Sequence, residues 1–527
     1  MIKYLKLACF LLVAGYLFAS CNTAGEPNPL SQIPSDATFV AEINGKAFLS
    51  KSGLNNPDDY KFMNMGRLIG GEQFAFVEAL CKGSKDAGVS ADNILICLTS
   101  PKEISAYAKV LDVNALEGWL KKLGLEEPVR GDGYKGCINK EGICMAWNEK
   151  QLIVSAKPVP SGQIAELFSE KKDGLLAVNE DFKKFAERKA DMRSWLKYSL
   201  FSDLYKAFSG DVLSPLTEQM KDVGNLSVHG YLDFNDGKIV ASGSINPPSE
   251  VAKYVEKYPL AKEAFNTELY GDLPEKAYLQ FNVAINVIEY FKLFRQTLEL
   301  NLQKYNGDES ANSEEMKKFL DGPELKSVLD ALDGDILFSI HGFKQSNIPM
   351  PEMTLVFSVK GESAFNDILA LIPKDQIVKS PDGYYVYDNP GMSELSLSLS
   401  FAFKNNRVIV SNDLESTAMF VGKKKGKTFA DNPVSATIGN RPAGFCINLD
   451  LNSYPDNFKL FLRNFIKGGS YDIFASIIDI YDKAYAMGRI ADFEAVLQFK
   501  NPNVNSLKQI FKSVDKISSG KPSSWNQ

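Results

Sequence analysis

One stretch of this 527-residue chain occurs twice, and no other feature constrains the fold as much. The first copy runs from Asp132-Gly133-Tyr134 through Met145-Ala146-Trp147 to Gln151-Leu152-Ile153-Val154-Ser155. The second runs from Asp382-Gly383-Tyr384 through Phe401-Ala402-Phe403 to Arg407-Val408-Ile409-Val410-Ser411. The offset is 250 at the turn and 256 at the Ile-Val-Ser strand, which places a six-residue insertion inside the second hairpin. A shared turn, shared strands and shared spacing point to duplication. The flanks agree. Ile33-Pro34 to Ile43 matches Leu273-Pro274 to Val283, Ile94 to Leu98 is answered by Ile336 to Ile340, and Asn246-Pro247 by Asn501-Pro502.

The chain is too long for one core. The expected division is a leader over 1–20, a polar tether over 21–32, one repeat over 33–262, a second over 263–517 and a polar tail over 518–527. Strands are read at Thr38–Ile43, ended by an Asn44-Gly45 turn, and at Trp195–Leu200. A hairpin is read around Asp236-Gly237, a strong two-residue turn signal. Ser396, Ser398 and Ser400 alternate with Leu395, Leu397, Leu399 and Phe401, as in a half-buried strand. Helices are read where apolar residues recur three and four apart: Phe74 to Cys81, Leu116 to Leu123, Leu204 to Phe208, Val287 to Leu302 and Leu507 to Val514. A strand, a polar cap and a helix follow one another four times, before Leu116, Val251, Phe365 and Leu507. Neighbouring strands without a crossover helix pair antiparallel. The fold class is therefore α+β, with two homologous repeats, each an antiparallel sheet with helices packed on one face.

The N-terminus reads as an address. Lys3 and Lys6 precede a short apolar run, Leu7 to Leu17, too short for a comfortable span. It ends in Leu17-Phe18-Ala19-Ser20-Cys21, which resembles the lipobox of bacterial lipoproteins, with Phe18 where leucine is usual. That implies cleavage after Ser20 and lipid attachment at Cys21. Two or more acyl chains hold stably where one binds marginally, each buried CH₂ contributing about 0.8 kcal/mol. The membrane is then one partner, through N-terminal acyl chains, and periplasmic face and cell surface both stay open.

Chemistry is signalled mainly by absence. A net charge of −6 gives no basic face for a nucleic acid. Gly131, Gly133 and Gly136 spell a dinucleotide pattern, but between a helix and a strand rather than a strand and a helix, so the reading is a turn. Gly422 to Thr428 approaches a phosphate loop with one residue too few and no strand before it. His229 and His341 are the two histidines, and neither has a nucleophile nearby in sequence. No metal-ligand spacing and no cofactor motif stands out, so no catalytic, cofactor-binding or metal residue is assigned. Cys137 and Cys144 flank a turn and admit either a cross-strand disulfide or two half-buried thiols. The acidic pairs Asp58-Asp59 and Glu314-Glu315 read as solvated surface charge.

The lipobox, the Ile33-Pro34-Ser35-Asp36-Ala37 opening, the two Asp-Gly-Tyr hairpins and the length together resemble an uncharacterised lipoprotein family of Bacteroides-like bacteria, domain of unknown function 4836. The resemblance covers the mature chain and implies an outer-membrane-anchored envelope lipoprotein; its motifs are turns and strands and carry no catalytic residue. Three functions remain open: a non-enzymatic binding or scaffold module for an envelope protein, glycan or lipid; a carrier of an apolar ligand; or a carboxylate-dependent glycan hydrolase. An apolar cleft between sheet and helices favours the carrier, and two carboxylates about 5–9 Å apart in a polar groove favour the hydrolase.

Overall fold

The computed structural model describes residues 29–518 apart from 83–84, 91–92, 101–102, 124–128, 132, 139–142, 157–163, 200–225, 258, 296–317, 319–320, 345–348, 371, 388–397, 467–469 and 490. The leader, Ser20 and Cys21, the Leu204–Phe208 helix, Leu298 and Leu302, Glu314-Glu315, Leu395 to Leu397 and the tail beyond Ser518 lie outside the described residues.

In the first half the strands are β1 (Phe39–Ile43), β2 (Ile94–Ser100), β3 (Glu103–Lys109), β4 (Val129–Gly131), β5 (Tyr134–Ile138), β6 (Cys144–Trp147), β7 (Gln151–Ser155), β8 (Met192–Lys197), β9 (Ser227–Asn235) and β10 (Lys238–Asn246). The second half supplies β11 (Leu279–Ala284), β12 (Leu332–Lys344), β13 (Met350–Val359), β14 (Ile377–Lys379), β15 (Tyr385–Tyr387), β16 (Leu399–Lys404), β17 (Arg407–Ser411), β18 (Ala443–Asn448), β19 (Tyr481–Gly488) and β20 (Asp492–Phe499). All pair antiparallel, and the fold is α+β. The spatial order is β4-β5-β6-β7-β3-β2-β1-β8-β9-β10 in the first half. It is β14-β15-β16-β17-β13-β12-β11-β18-β19-β20 in the second. The two orders are the same. β10 then pairs with β20 from Lys238 opposite Gln498 to Ser244 opposite Asp492, which joins them into one sheet of twenty described strands. Its described ends are β4 and β14, three residues each.

Register carries the correspondence to single residues. A row across the first half runs Trp195, Val40, Cys97, Ser105, Ser155, Cys144, each directly opposite the next. The matching row in the second runs Cys446, Gln280, Ser339, Thr354, Ser411, Ser400. The β5–β6 connection has five residues and the β15–β16 connection eleven, a difference of six.

Turn chemistry explains the matched hairpins. Gly133 and Gly383 take left-handed φ of 78° and 94° between β4 and β5 and between β14 and β15, a conformation glycine adopts without a Cβ clash. Gly237 is fixed twice over, by a φ of 66° and by Pro502, whose Cα would lie 2.4 Å from an added Cβ. Asn44 does not turn the chain. Its side chain caps the helix Gly45–Ser52, accepting from the Ala47 amide at 3.0 Å, a role that asparagine fills as readily as a turn.

Helices cover both faces of the sheet, not one. Val40, Leu95, Ile153 and Trp195 meet Phe182 and Phe185 of the helix Glu180–Glu187 on one side. Their sequence neighbours Ile94 and Leu152 meet Leu116 and Leu120 of the helix Val113–Lys122 on the other. Side chains alternate across a strand, so uninterrupted apolar runs such as Ile94 to Leu98 and Leu152 to Val154 already call for burial on both sides. The stretch read as tether is also folded from Pro29. Pro29–Gln32 forms a 3₁₀ turn, Leu30 packs in the first-half core, and Gln32 and Gln151 exchange side-chain amide hydrogen bonds at 3.0 and 2.9 Å.

Candidate functional site

The face opposite the cross-strand row carries two apolar hollows, one in each half. In the second half, a cavity of about 520 Å³ lies between the helical stretch 287–295, the helix Pro323–Ala331 and strands β12 and β13. Val287, Tyr290, Phe291, Phe294, Val328, Leu329, Leu332, Ile336, Leu355 and Phe357 line it. Tyr290 and Phe294 are each 51% exposed, so apolar surface reaches the mouth. Asp335 borders the cavity with its charge already satisfied, by Lys262 Nζ at 2.6 Å and the Asn266 amide at 3.0 Å. This is the size of a small-molecule site, roughly 300–1,000 Å³.

In the first half a trough of about 510 Å³ runs over β1, β2, β8 and β9, floored by Phe39, Ala41, Ile96, Leu98 and Leu232. Glu42 and Arg193 form an ion pair at its margin, and Arg193 Nη1 also donates to the carbonyls of Phe185, Ala186 and Arg188. Each of the three nitrogens of this guanidinium thus meets an acceptor within the fold. A larger hollow of about 700 Å³ nearby is lined by charges of both signs, including Lys46, Lys183 and Glu187.

Both histidines sit in structural networks. His229 Nε2 meets Asp181 Oδ2 at 3.0 Å, and the same carboxylate accepts from Trp195 Nε1 at 3.0 Å and from Ser227. Burial opposes ionisation of Asp181, but the bonds from His229, Ser227 and Trp195 together hold its pKa below the usual range. His341 Nε2 lies 3.0 Å from Thr354 Oγ1 and 3.3 Å from Ser416 Oγ, which itself donates to Asp413 Oδ2 at 2.6 Å. Serine, not histidine, stands in the middle of that relay, and both Ser416 and Thr354 are fully buried. A nucleophile needs the reverse order and an open cleft. Burial lowers the His341 pKa, which keeps the ring neutral.

Cys137 and Cys144 are both buried thiols. Cys137 lies opposite Met145 and Cys144 opposite Ile138, one register step apart, so the two sulfurs belong to opposite faces and no disulfide joins them. Burial raises Cys137 to about 11. The glycine pattern at Gly131 to Gly136 is the β4–β5 hairpin, with no helix to meet a phosphate. The Gly422 loop follows the helix Leu414–Phe420, and its Lys424 and Lys427 are held by Glu415 at 2.5 Å and Glu275 at 3.8 Å. Asp58 pairs with Arg67, which also binds Glu78 and brings that carboxylate down to about 2. No described helix is long and apolar enough to cross a membrane.

The second-half cavity was half visible in the sequence. Val287, Phe291 and Phe294 mark one helix face, but periodicity does not say that the facing sheet leaves room beneath them. The helices Asp456–Phe465 and Ser470–Ile478 went unread, although Phe458, Phe461, Leu462 and Phe465 have helical spacing.

Fold and hollows define an α+β protein with one continuous antiparallel sheet and apolar space on one of its faces. The family model described as Domain of unknown function (DUF4836) matches residues 31–507, and the chain belongs to that family. No curated protein matches it. Among solved structures, crystal form I of TP0453 is similar at 10% identity over 46% of this chain and 88% of that one, with a TM-score of 0.28. Crystal form IV matches at 12% identity over 45% and 87%, with a TM-score of 0.24. Likeness at that level carries no argument about fold or function.

Proposed function

We propose that this protein is a lipid-anchored envelope lipoprotein that binds an apolar ligand on the open face of its sheet and does no chemistry on it. The observation that supports this is the second-half cavity, whose described lining is chiefly apolar and whose bordering Asp335 is already paired with Lys262. Such a site gains about 0.8 kcal/mol per buried CH₂ of a guest and offers no group to activate one. The lipobox residues Ser20 and Cys21 support the anchor and the bacterial envelope as location, with membrane, envelope protein, glycan or lipid as partners. The identical strand orders and the residue-matched rows support two homologous repeats, over 33–262 and 263–517, arisen by duplication.

Native mass spectrometry of protein extracted from its membrane tests the binding. A co-purifying lipid-sized adduct is expected, and it is lost when Leu329 is enlarged to tryptophan. Protein that carries no adduct and displaces no fluorescent fatty-acid analogue is not a carrier. For the anchor, Cys21→Ala is expected to lose the lipid label and leave the membrane fraction.

A further inference from the structure

The helix Asp456–Phe465 carries Phe458, Phe461, Leu462 and Phe465 on one stripe, with Leu460 exposed apart from it, and the fold covers only the stripe's beginning. Phe458 stacks within an aromatic group, 4.6 Å from Phe343 and 4.8 Å from Tyr454 between ring centroids. One turn on, Phe461 is 42% exposed, and after another Phe465 is 75% exposed, the two rings stacking only on each other at 6.1 Å. No residue of this helix is buried. The next described helix, Ser470–Ile478, exposes Ile473 and Ile477 four residues apart in the same way. Two successive helices between β18 and β19 therefore present large apolar side chains outward.

The charges say what covers them. Arg463 is exposed and stands two residues from each of Phe461 and Phe465, which puts it on the opposite face of the helix from the two rings. The helix's one acid, Asp456, lies at the opposite end and is bridged to Lys459 at 2.8 Å. An aromatic stripe backed by a cation on the opposite, polar face suits the boundary between headgroups and acyl chains of a bilayer, where the rings enter the chains and the long guanidinium side chain reaches back toward phosphate. The chain outside the described structure points the same way. Seven residues lie between Cys21 and Pro29, eight steps with a reach of at most about 28 Å, so an acylated Cys21 keeps the whole fold beside a membrane.

We propose that the Phe461–Phe465 end of this helix, with the Ile473–Ile477 stripe of the next, inserts into the boundary of a phospholipid bilayer as a second, non-covalent membrane contact. The proximity of the bilayer rests on the Cys21 anchor; the insertion rests on the helices alone. The test labels Phe465→Cys in the full-length chain with an environment-sensitive fluorophore, the described native cysteines being buried and Cys21 either acylated or, in the chain without acyl groups, replaced by Cys21→Ser. The protein is mixed with vesicles of phosphatidylethanolamine and phosphatidylglycerol whose acyl chains carry a nitroxide. Emission at 465 is expected to be quenched and shifted to shorter wavelength, while a label at the exposed turn in Asp382→Cys keeps its emission. Adding Phe461→Glu is expected to abolish the quenching at 465. An unquenched 465 in a chain whose mass shows acylated Cys21, equal quenching at 382, or quenching that survives Phe461→Glu overturns the proposal. Quenching at 465 in a chain without acyl groups would sustain it and remove the anchor instead.

Discussion

Val240 and Val496 stand directly opposite each other where β10 meets β20, next to the matching pair Ala241 and Ala495. This seam runs over seven residue pairs from Lys238 to Ser244 and is where the two ten-strand halves become one sheet. Asn505 tightens it, its side-chain amide donating to the Phe234 carbonyl at 2.9 Å. Proline at Ala241 removes a ladder hydrogen bond in mid-strand, a change that costs about 3 kcal/mol or more in regular structure. The expected result is separation of the halves: urea unfolding followed by far-ultraviolet circular dichroism and by tryptophan fluorescence resolves into two steps. Coincident single transitions for Ala241→Pro would show that the seam does not set cooperativity.

Phe182 is fully buried against Trp195, their rings meeting edge to face at 5.4 Å. Phe182→Ala removes the centre of the first-half core and is expected to destabilise by roughly 3–5 kcal/mol. Denaturant titration measures it directly, and a loss below 1 kcal/mol would contradict this packing.

Asp272 and Arg407 form a buried pair, with Nε 3.2 Å from Oδ2. Burial outweighs the attraction of Arg407 and lifts the Asp272 pKa to about 6, above its usual 3.8. An acid with a raised folded pKa stabilises most where it stays protonated in the fold. Its contribution is full below about pH 4 and is lost as pH rises through about 6, on the order of 3 kcal/mol in all. Asp272→Asn is expected to flatten that part of the profile of melting temperature against pH. A variant that keeps the wild-type slope between pH 4 and 6 would assign it to other groups.

Cys81, Cys97, Cys137, Cys144 and Cys446 are all buried, and burial pushes Cys81 and Cys97 up to about 12. They are expected to resist a thiol reagent in the native protein and to react in guanidinium, with the same count before and after reduction. Two extra thiols appearing only after reduction would mean that Cys137 and Cys144 pair after all.

Leu329 lines the second-half cavity from the helix Pro323–Ala331. Leu329→Trp adds bulk to open space, so it is expected to lower affinity for a fluorescent fatty-acid analogue at least about tenfold, the loss of roughly two methylene contacts, while leaving the melting temperature nearly unchanged. Undiminished affinity would place the ligand elsewhere.

The strand plan was legible because its signals are local. Asp236-Gly237 and the two Asp-Gly-Tyr turns each need a glycine at positive φ, and the apolar strands between them have few ways to pair. Helix placement was less legible. Leu116 and Phe182 both mark amphipathic helices, yet only the tertiary fold sends one to each face of the sheet. The cysteine pair turned on a single register step that the spacing of 137 and 144 leaves open. The cavity was hidden for a different reason: Phe291 and Phe294 read as core residues whether or not the sheet fills the space below them.

The sheet's described ends have a consequence for life at high local concentration. The membrane tether proposed above would crowd copies of the protein onto a surface, where any long unpaired strand would template the next copy. Among the described residues, the outermost strands are Val129–Gly131 and Ile377–Lys379, with Arg130 and Lys379 exposed on them. Short, charged margins are poor templates for chain-to-chain pairing. A sheet of twenty described strands with such margins is poorly suited to run its hydrogen-bond ladder on from one molecule into another.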